Sequence, residues 1–107
     1  MYALTPQQQD LVARNTGLVS PYIRKLARRL PHEIFRRERD DLYQEGLLGL
    51  MEAAARYQLR PGASFARYAL PFIRGRIAAA LLKLQGGLAA SVTTVKRLVR
   101  PLLTVGA

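Results

Sequence analysis

The sequence predicts an all-α fold, a small bundle of three or four helices joined by short connections. Apolar residues recur at three- and four-residue steps through most of the chain, which is the period of an amphipathic helix. Glycine and proline residues punctuate these runs, and no segment has the pattern of a β-strand. With 107 residues, the chain is long enough for one small domain with a modest helical core.

The first helix is predicted to begin directly after Thr5, which precedes Pro6 and lies three residues before Gln8. A threonine N-cap, a first-turn proline and a glutamine three residues beyond the cap are the pattern of a capping box. The apolar stripe that follows consists of Leu11, Val12, Leu18, Val19, Tyr22, Ile23, Leu26 and Leu30.

Two residues weaken the middle of this first segment. Gly17 and Pro21 both disfavour a continuous helix, so we expect a kink near Ser20 or a break into two helices. Pro31 is expected to end the segment. Residues 32–39, HEIFRRER, are predicted to form a charged connector or a short helix whose charges mostly cancel.

A second amphipathic helix is predicted to begin at Asp40 and Asp41. Asp41 is expected to cap it with Gln44 at the reciprocal position, because both acids suit the positive end of the helix dipole. Its apolar stripe is Leu42, Leu47, Leu50, Met51, Ala54 and Tyr57. Residues 60–62, Arg-Pro-Gly, predict a turn after it.

A third helix is predicted to follow Ser64, which is expected to cap it. Pro71 in its first turns indicates a bend, or a helix that restarts at that proline. Its apolar stripe is Phe65, Tyr68, Ala69, Phe72, Ile73, Ile77, Ala80, Leu81 and Leu84. Because residues 85–87, Gln-Gly-Gly, end this helix, we assign residues 1–87 to a helical domain and residues 88–107 to a basic tail or short helix.

Charge is unevenly distributed along the chain, whose formal net charge is +10. All seven acidic residues lie at or before Glu52, whereas residues 53–107 carry nine Lys or Arg and no acid. Fourteen of the seventeen cations are Arg, which binds phosphate through a planar fork of donors and stacks on bases. This asymmetry favours nucleic acid or an anionic membrane over a small acidic substrate.

Several functional classes find no support in the sequence. There is no Cys, hence no disulfide framework and no thiolate metal site, which fits a cytoplasmic protein. No apolar run approaches the roughly 20 residues that span a bilayer, and the N-terminus lacks the features of a signal peptide. His32 has no nucleophile near it in sequence, and adjacent acids such as Asp40 and Asp41 are more often caps than metal ligands. We therefore expect a binding protein without catalytic residues, metal or cofactor.

Two clusters are candidates for binding. Asp41, Gln44, Glu45 and Leu48 recur on one face of the second helix, which fits either a solvated face or a docking ridge for a basic helix. Residues 65–76 mix aromatic rings with arginines, a combination that grips unpaired bases. In that segment we expect Phe65 to belong to the core, and Phe72 fits either the core or a ligand contact. Tyr68, whose hydroxyl can stay in water, is the best candidate to contact a ligand.

The segment 40–77, DDLYQEGLLGLMEAAARYQLRPGASFARYALPFIRGRI, closely resembles region 2 of the bacterial RNA polymerase sigma factors. In that family an acid-Leu-x-Gln-Glu-Gly-x-x-Gly-Leu helix leads into a Gly-x-x-Phe-x-x-Tyr-Ala-x-x-x-Ile-Arg helix. The matching positions are Asp41, Leu42, Gln44, Glu45, Gly46, Gly49, Leu50, Gly62, Phe65, Tyr68, Ala69, Ile73 and Arg74. The match covers about a third of the chain, and residues 11–30 extend it over the first helix.

This resemblance implies two binding activities. One helix would dock on the clamp-helices coiled coil of the largest polymerase subunit through Asp41, Gln44, Glu45, Leu48 and Met51. The next would melt the −10 promoter element and hold its non-template strand through Arg60, Arg67, Tyr68, Phe72, Arg74 and Arg76. Tyr68 would stack on the flipped adenine, and the arginines would line the backbone or the fork.

Departures from the family pattern refine these expectations. Housekeeping sigma factors carry two tryptophans where this chain has Pro71 and Phe72, so YALPFIRGRI resembles the alternative flagellar, sporulation or stress members. Promoter melting is therefore expected to be weaker or more sequence-restricted. The family's promoter-reading helix-turn-helix domain is missing from the sequence, which fits either a fragment or a truncated sigma-like protein.

Two other functional hypotheses stay open on the sequence. A truncated sigma relative would occupy polymerase core, or bind an anti-sigma factor, without starting transcription. A basic amphipathic protein of the membrane surface would bind lipid and be disordered in water.

Overall fold

The computed structural model describes residues 3–58, 62 and 64–84 of the chain. Over these residues the architecture is all-α, as predicted, and contains no β-strand. Four α-helices follow one another: α1 (Pro6–Asn15), α2 (Ser20–Ala27), α3 (His32–Arg56) and α4 (Phe65–Leu84). The two long helices, α3 and α4, pack against each other along their length, and α1 and α2 pack on α3.

The N-terminus of α1 has the predicted capping box. The Thr5 hydroxyl accepts a hydrogen bond from the Gln8 backbone N–H at 3.2 Å, and the Thr5 N–H donates to the Gln8 side-chain oxygen at 2.8 Å. Pro6 occupies the first turn, where its missing N–H leaves no hydrogen bond unmade. The local signal in the sequence was sufficient to place this helix start.

The first segment breaks into two helices rather than bending. A 3₁₀ turn, Thr16–Leu18, separates α1 from α2, and Pro21 lies in the first turn of α2. The break has a structural consequence, because it lets Val19 point into the core, where it is fully buried. The alternative that the sequence left open is thereby decided.

The predicted start of the next helix at Asp40 and Asp41 is wrong, as is the cap assigned to Asp41. Helix α3 begins at His32 and runs for 25 residues without interruption, so both acids lie in its interior. Of the two alternatives for residues 32–39, a charged connector or a short helix, the segment is helical and forms the first two turns of α3. Residues 32–45 contain no glycine or proline, Glu and Arg are good helix formers, and Ile34 is buried and anchors the helix to the domain.

Two glycines let other elements approach α3 very closely. A Cβ atom at Gly49 would lie 2.5 Å from the carbonyl oxygen of Phe72 and 2.9 Å from the Cα of Ile73. A Cβ atom at Gly46 would lie 2.5 Å from a methyl group of Val19. The backbone of α4 therefore lies directly against the backbone of α3.

Helix α4 has the predicted N-terminal cap, and it is not interrupted at Pro71. The Ser64 hydroxyl accepts a hydrogen bond from the Arg67 backbone N–H at 3.3 Å. The helix is continuous through Pro71, so the predicted restart at that proline is wrong. Pro71 removes one backbone donor, but Ile73 and Ile77 are fully buried and hold the helix in place across the proline.

The core lies mainly between α3 and α4, and the predicted apolar stripes supply most of it. Its buried members are Val19, Leu26, Leu30, Leu42, Leu50, Ala53, Ala54, Phe65, Ala69, Ile73, Ile77, Ala78 and Leu81. None of the described helices is both long enough and apolar enough to cross a bilayer.

Part of the sequence interpretation falls on positions outside the described residues. In the predicted turn at 60–62, Gly62 has a φ of 77°, a left-handed conformation that glycine adopts without strain. Arg60 and Pro61 of that turn lie outside the description, as do residues 85–87 and the proposed C-terminal division at 88–107.

Candidate functional site

The five residues predicted to bind polymerase lie on one face of α3. At about 100° per residue they fall within about 120° of arc, and we call them the acidic ridge: Asp41, Gln44, Glu45, Leu48 and Met51. The first two side chains are exposed, and the other three are partly buried. The structure therefore brings this predicted set together, although its first member is an interior residue of the helix and not a cap.

A shallow groove of about 290 Å³ runs beside the acidic ridge, between α3 and the C-terminal end of α4. Carboxylates of Glu38, Asp41 and Glu45 lie on its α3 side, and its α4 side combines the apolar residues Ala80 and Leu84 with one cation, Lys83. This combination suits a helix that presents basic side chains beside an apolar stripe.

Arg76 of α4 joins the acidic ridge to the opposite helix. Its guanidinium lies 3.7 Å from a carboxylate oxygen of Glu45 and 3.7 Å from one of Glu52. Glu52 also pairs with Arg56 at 3.4 Å. Glu45 of the acidic ridge is therefore already paired within the domain. Arg76, predicted to face DNA, instead faces α3.

Four aromatic rings form a connected cluster at the N-terminal end of α4. The ring centroid of Tyr57 lies 5.1 Å from that of Phe65 and 5.4 Å from that of Tyr68, and Tyr68 lies 5.2 Å from Phe72. Phe65 is buried, as predicted, whereas Tyr68 is 36% exposed and Phe72 is partly buried. Tyr68 therefore presents a ring face or edge to solvent while its neighbours fix its position.

Tyr57 is the member of this aromatic cluster that the sequence analysis assigned only to the apolar stripe of its helix. It follows the last residue of α3 and contacts two rings of α4 across the connection. The sequence shows Tyr57 eight residues before Phe65, but spacing alone does not predict that the two rings are in contact.

The predicted DNA-contacting arginines do not share one surface. Arg67 is exposed in the second helical position after Phe65, whereas Arg74 is only 9% exposed and lies beside Tyr22 of α2. Among the described arginines of the predicted set, Arg67 is thus the most accessible to a strand and Arg74 the least. The remaining predicted arginine, Arg60, is outside the described residues.

The surroundings of Tyr22 shift the pKa of its phenol. Burial raises the pKa of the Tyr22 phenol above its ordinary value of 10.0, and the positive charge of Arg74 lowers it in part. The neutral phenol is therefore favoured in the folded protein.

Tyr22→Phe is expected to flatten the alkaline decline in stability. Because the folded pKa of Tyr22 is raised, its contribution is fully present below pH 10 and is lost as the pH rises through the folded pKa. Urea unfolding midpoints of parent and variant at pH 9 and above pH 10 would measure the difference. The surface variant Tyr68→Phe is the control, and an identical decline in parent and Tyr22→Phe would contradict the assignment.

Among the described residues, no group of three or more His, Cys, Asp or Glu side chains is placed to hold a metal ion. The chemistry that the two clusters offer is recognition: carboxylates beside an apolar groove on α3, and an exposed tyrosine within an aromatic cluster on α4.

Comparison with known proteins points in the same direction. Residues 11–86 match the family model described as Sigma-70 region 2. Over 68 residues the chain is 41% identical to the RNA polymerase sigma factor FliA of Pseudomonas aeruginosa. This alignment covers 64% of the chain and 26% of that relative. The chain thus spans about a quarter of the length of this curated relative. No solved structure is significantly similar to this chain.

Proposed function

Because the chain belongs to the Sigma-70 region 2 family and is of the alternative sigma type, we propose that it is a domain for transcription initiation. In this proposal the acidic ridge binds RNA polymerase core, and the aromatic cluster of α4 binds the non-template strand of the −10 promoter element. The domain is a binding module without catalysis or cofactor, and it acts in the cytoplasm, as sigma factors do.

The observation that carries the proposal is the pairing of two unlike surfaces on the packed helices α3 and α4. The acidic ridge is set beside an apolar groove, and Tyr68 is held half-exposed between two aromatic neighbours.

The groove supports a helical polymerase partner. A clamp helix laid along it could place basic side chains against Asp41 and Gln44 while an apolar side chain contacts Ala80 or Leu84. Asp41 takes part in no ion pair among the described residues, and the Gln44 side chain is exposed, so both can contact a partner. Charge-assisted hydrogen bonds to such groups are stronger than neutral ones.

Gln44→Ala is expected to weaken binding to polymerase core by about 1–3 kcal/mol, since a polar contact at the centre of the interface is lost. The change is on an exposed helix face, and alanine is the better helix former, so the domain should stay folded. Co-purification and titration of labelled domain with core polymerase measure the loss.

The matched control is Gln7→Ala, the same substitution at an exposed position of α1 away from the ridge. It should leave core binding unchanged. Equal binding of core polymerase by the parent and by Gln44→Ala would contradict the assignment of the acidic ridge to the docking surface.

On the DNA side, Tyr68 supplies a stacking surface and Arg67 an exposed cation in the preceding position. Stacking on an aromatic side chain contributes about 1–3 kcal/mol per base. Pro71 and Phe72 stand where housekeeping members carry tryptophans, so we propose that melting depends on a restricted set of promoter sequences.

A forked-promoter assay with core polymerase present tests the function as a whole. Core-dependent binding of a fork with an unpaired −10 strand is the expected result. Binding of core polymerase without binding of the fork would instead support a regulator that occupies polymerase. Binding to neither would support a protein whose partner is an anti-sigma factor.

A further inference from the structure

Helix α2 and the turn that directly follows it carry a set of cations that the proposed function does not use. We call it the α2 cationic face, and it consists of Arg24, Lys25, Arg28 and Arg29. Three of the four are exposed and Lys25 is partly buried. Residues 11–32 contain no acid, and no ion pair among the described residues involves any of the four.

The contrast with α4 is informative, because the sequence placed the purely basic surface in the second half of the chain. There Arg56 and Arg76 are paired with carboxylates of α3, and Arg74 is buried. Along the described part of α4, the exposed cations outside ion pairs are Arg67 and Lys83. Unpaired positive charge is therefore denser on α2 than on α4.

Among the described residues, no carboxylate forms an ion pair with the α2 cationic face. All seven acidic residues of the chain lie at described positions, since the last is Glu52. Asp40 lines the same surface groove as Arg24, between α2 and α3, but it pairs with Arg39 at 3.5 Å. The positive charge on α2 is therefore left for a partner.

The geometry of the face fits phosphates rather than bases or lipid tails. Arg24 of α2 and Arg28, the C-cap of that helix, are both exposed and lie four residues apart, a helical rise of about 6 Å. The apolar side chains of this helix, Tyr22 and Leu26 among them, pack into the core. No exposed ring is present to stack on a base, and no apolar stripe is free to enter a bilayer.

We propose that the α2 cationic face binds the sugar-phosphate backbone of double-stranded DNA adjoining the unpaired −10 segment. This inference rests on the proposed function. Val19, the N-cap of α2, and Ile77 of α4 have side-chain atoms 2.5 Å and 3.3 Å from a Cβ position at Gly46, so α2 begins beside the helix that carries Tyr68, and a duplex leaving the aromatic cluster can pass over it. The contact is sequence-independent because it reaches phosphates and no base edges.

The test measures binding of the whole chain to a short blunt duplex by fluorescence anisotropy, across about 50–200 mM salt. The double variant Arg24→Gln/Arg28→Gln should lower duplex affinity on the order of tenfold at low salt. Its log–log salt slope should fall by about 1.8, the value for two lost phosphate contacts.

The matched control is Arg14→Gln/Arg56→Gln, which removes the same two charges from arginines paired with Asp10 and Glu52. It should change the salt slope little. The double variant Arg24→Lys/Arg28→Lys keeps the charge and should keep most of the affinity. Equal losses in both glutamine variants would show an effect of net charge alone and would overturn the proposal.

Two further outcomes would also overturn it. One is a parent chain that does not bind duplex at low salt, and the other is a parent that prefers phosphatidylglycerol vesicles to duplex. A loss of helix stability with unchanged duplex binding would assign the cations to the dipole of α2 instead. Strand discrimination by Tyr68, measured separately on single strands, tests the proposed function, so the two can fail independently.

Discussion

Gly49→Ala is expected to destabilise the domain by about 3 kcal/mol and to lower its melting temperature by more than about 10 °C. The added Cβ would lie 2.5 Å from the carbonyl oxygen and 2.8 Å from the carbonyl carbon of Phe72, and 2.9 Å from the Cα of Ile73. All three atoms belong to the backbone of α4, so no side chain can rotate away, and the two helices must separate. Thermal and urea unfolding followed by circular dichroism measure the loss.

Gly75→Ala is the matched control for this prediction. It places the same methyl group in a helix interior, but no atom lies within 4 Å of the position. Helix propensity alone should then stabilise the domain by up to about 1 kcal/mol. Opposite signs for the two variants would establish the close helix contact, whereas stabilisation by both would mean that α3 and α4 lie further apart.

The stability of Gly46→Ala should lie between those of Gly49→Ala and Gly75→Ala. Its Cβ would approach a methyl group of Val19 at 2.5 Å, but a valine side chain can shift where a backbone cannot. The order of stability Gly75→Ala, Gly46→Ala, Gly49→Ala therefore reports how rigidly each neighbour is held.

The close packing at Gly49 also matters for the site. It sets the spacing at which Arg76 of α4 reaches Glu45 and Glu52 of α3. A variant that separates the helices should break this ion-pair bridge and displace Phe72, which contacts both the glycine and Tyr68. Polymerase and strand binding are then expected to fall together in Gly49→Ala.

Much of the fold could be predicted because its signals are local. The caps at Thr5 and Ser64 depend on a side chain and a backbone group three residues away, and both are confirmed. The apolar stripes likewise follow from helical periodicity, so most core residues were identified. Residues assigned to the acidic ridge share a face for the same reason.

The corrections arise where distant residues decide the outcome. Helix α3 begins at His32, and the two adjacent acids that had the sequence pattern of a cap lie inside it. The burial of Arg74 depends on α2, and the pairing of Arg76 depends on α3. Sequence spacing along one helix contains no information about which neighbouring helix covers a given arginine.

The role of Tyr68 gives the second large prediction. Tyr68→Ala should abolish the preference of the core-bound domain for a −10 strand over the same strand with its key adenine replaced. That preference is expected to be about 5- to 150-fold, equivalent to the roughly 1–3 kcal/mol of one stacked base. Tyr68→Phe should keep most of it, because stacking survives loss of the hydroxyl.

Arg67→Ala separates stacking from charge. Arg67 is exposed, so its loss should weaken binding to both strands about equally by removing one phosphate contact. Leu82→Ala, at an exposed hydrophobic residue near the other end of α4, should affect neither strand and serves as the control for truncation of this helix.

The stability of the same variants decides between the two roles of Tyr68. The ring is 36% exposed and packs against Tyr57 and Phe72, so Tyr68→Ala should lower the melting temperature by only a few degrees. A purely structural tyrosine would give a lower melting temperature with the strand preference intact, and that result would contradict base capture. A lost preference in Tyr68→Ala, kept in Tyr68→Phe, would instead identify the half-exposed ring as the surface on which the unpaired adenine stacks.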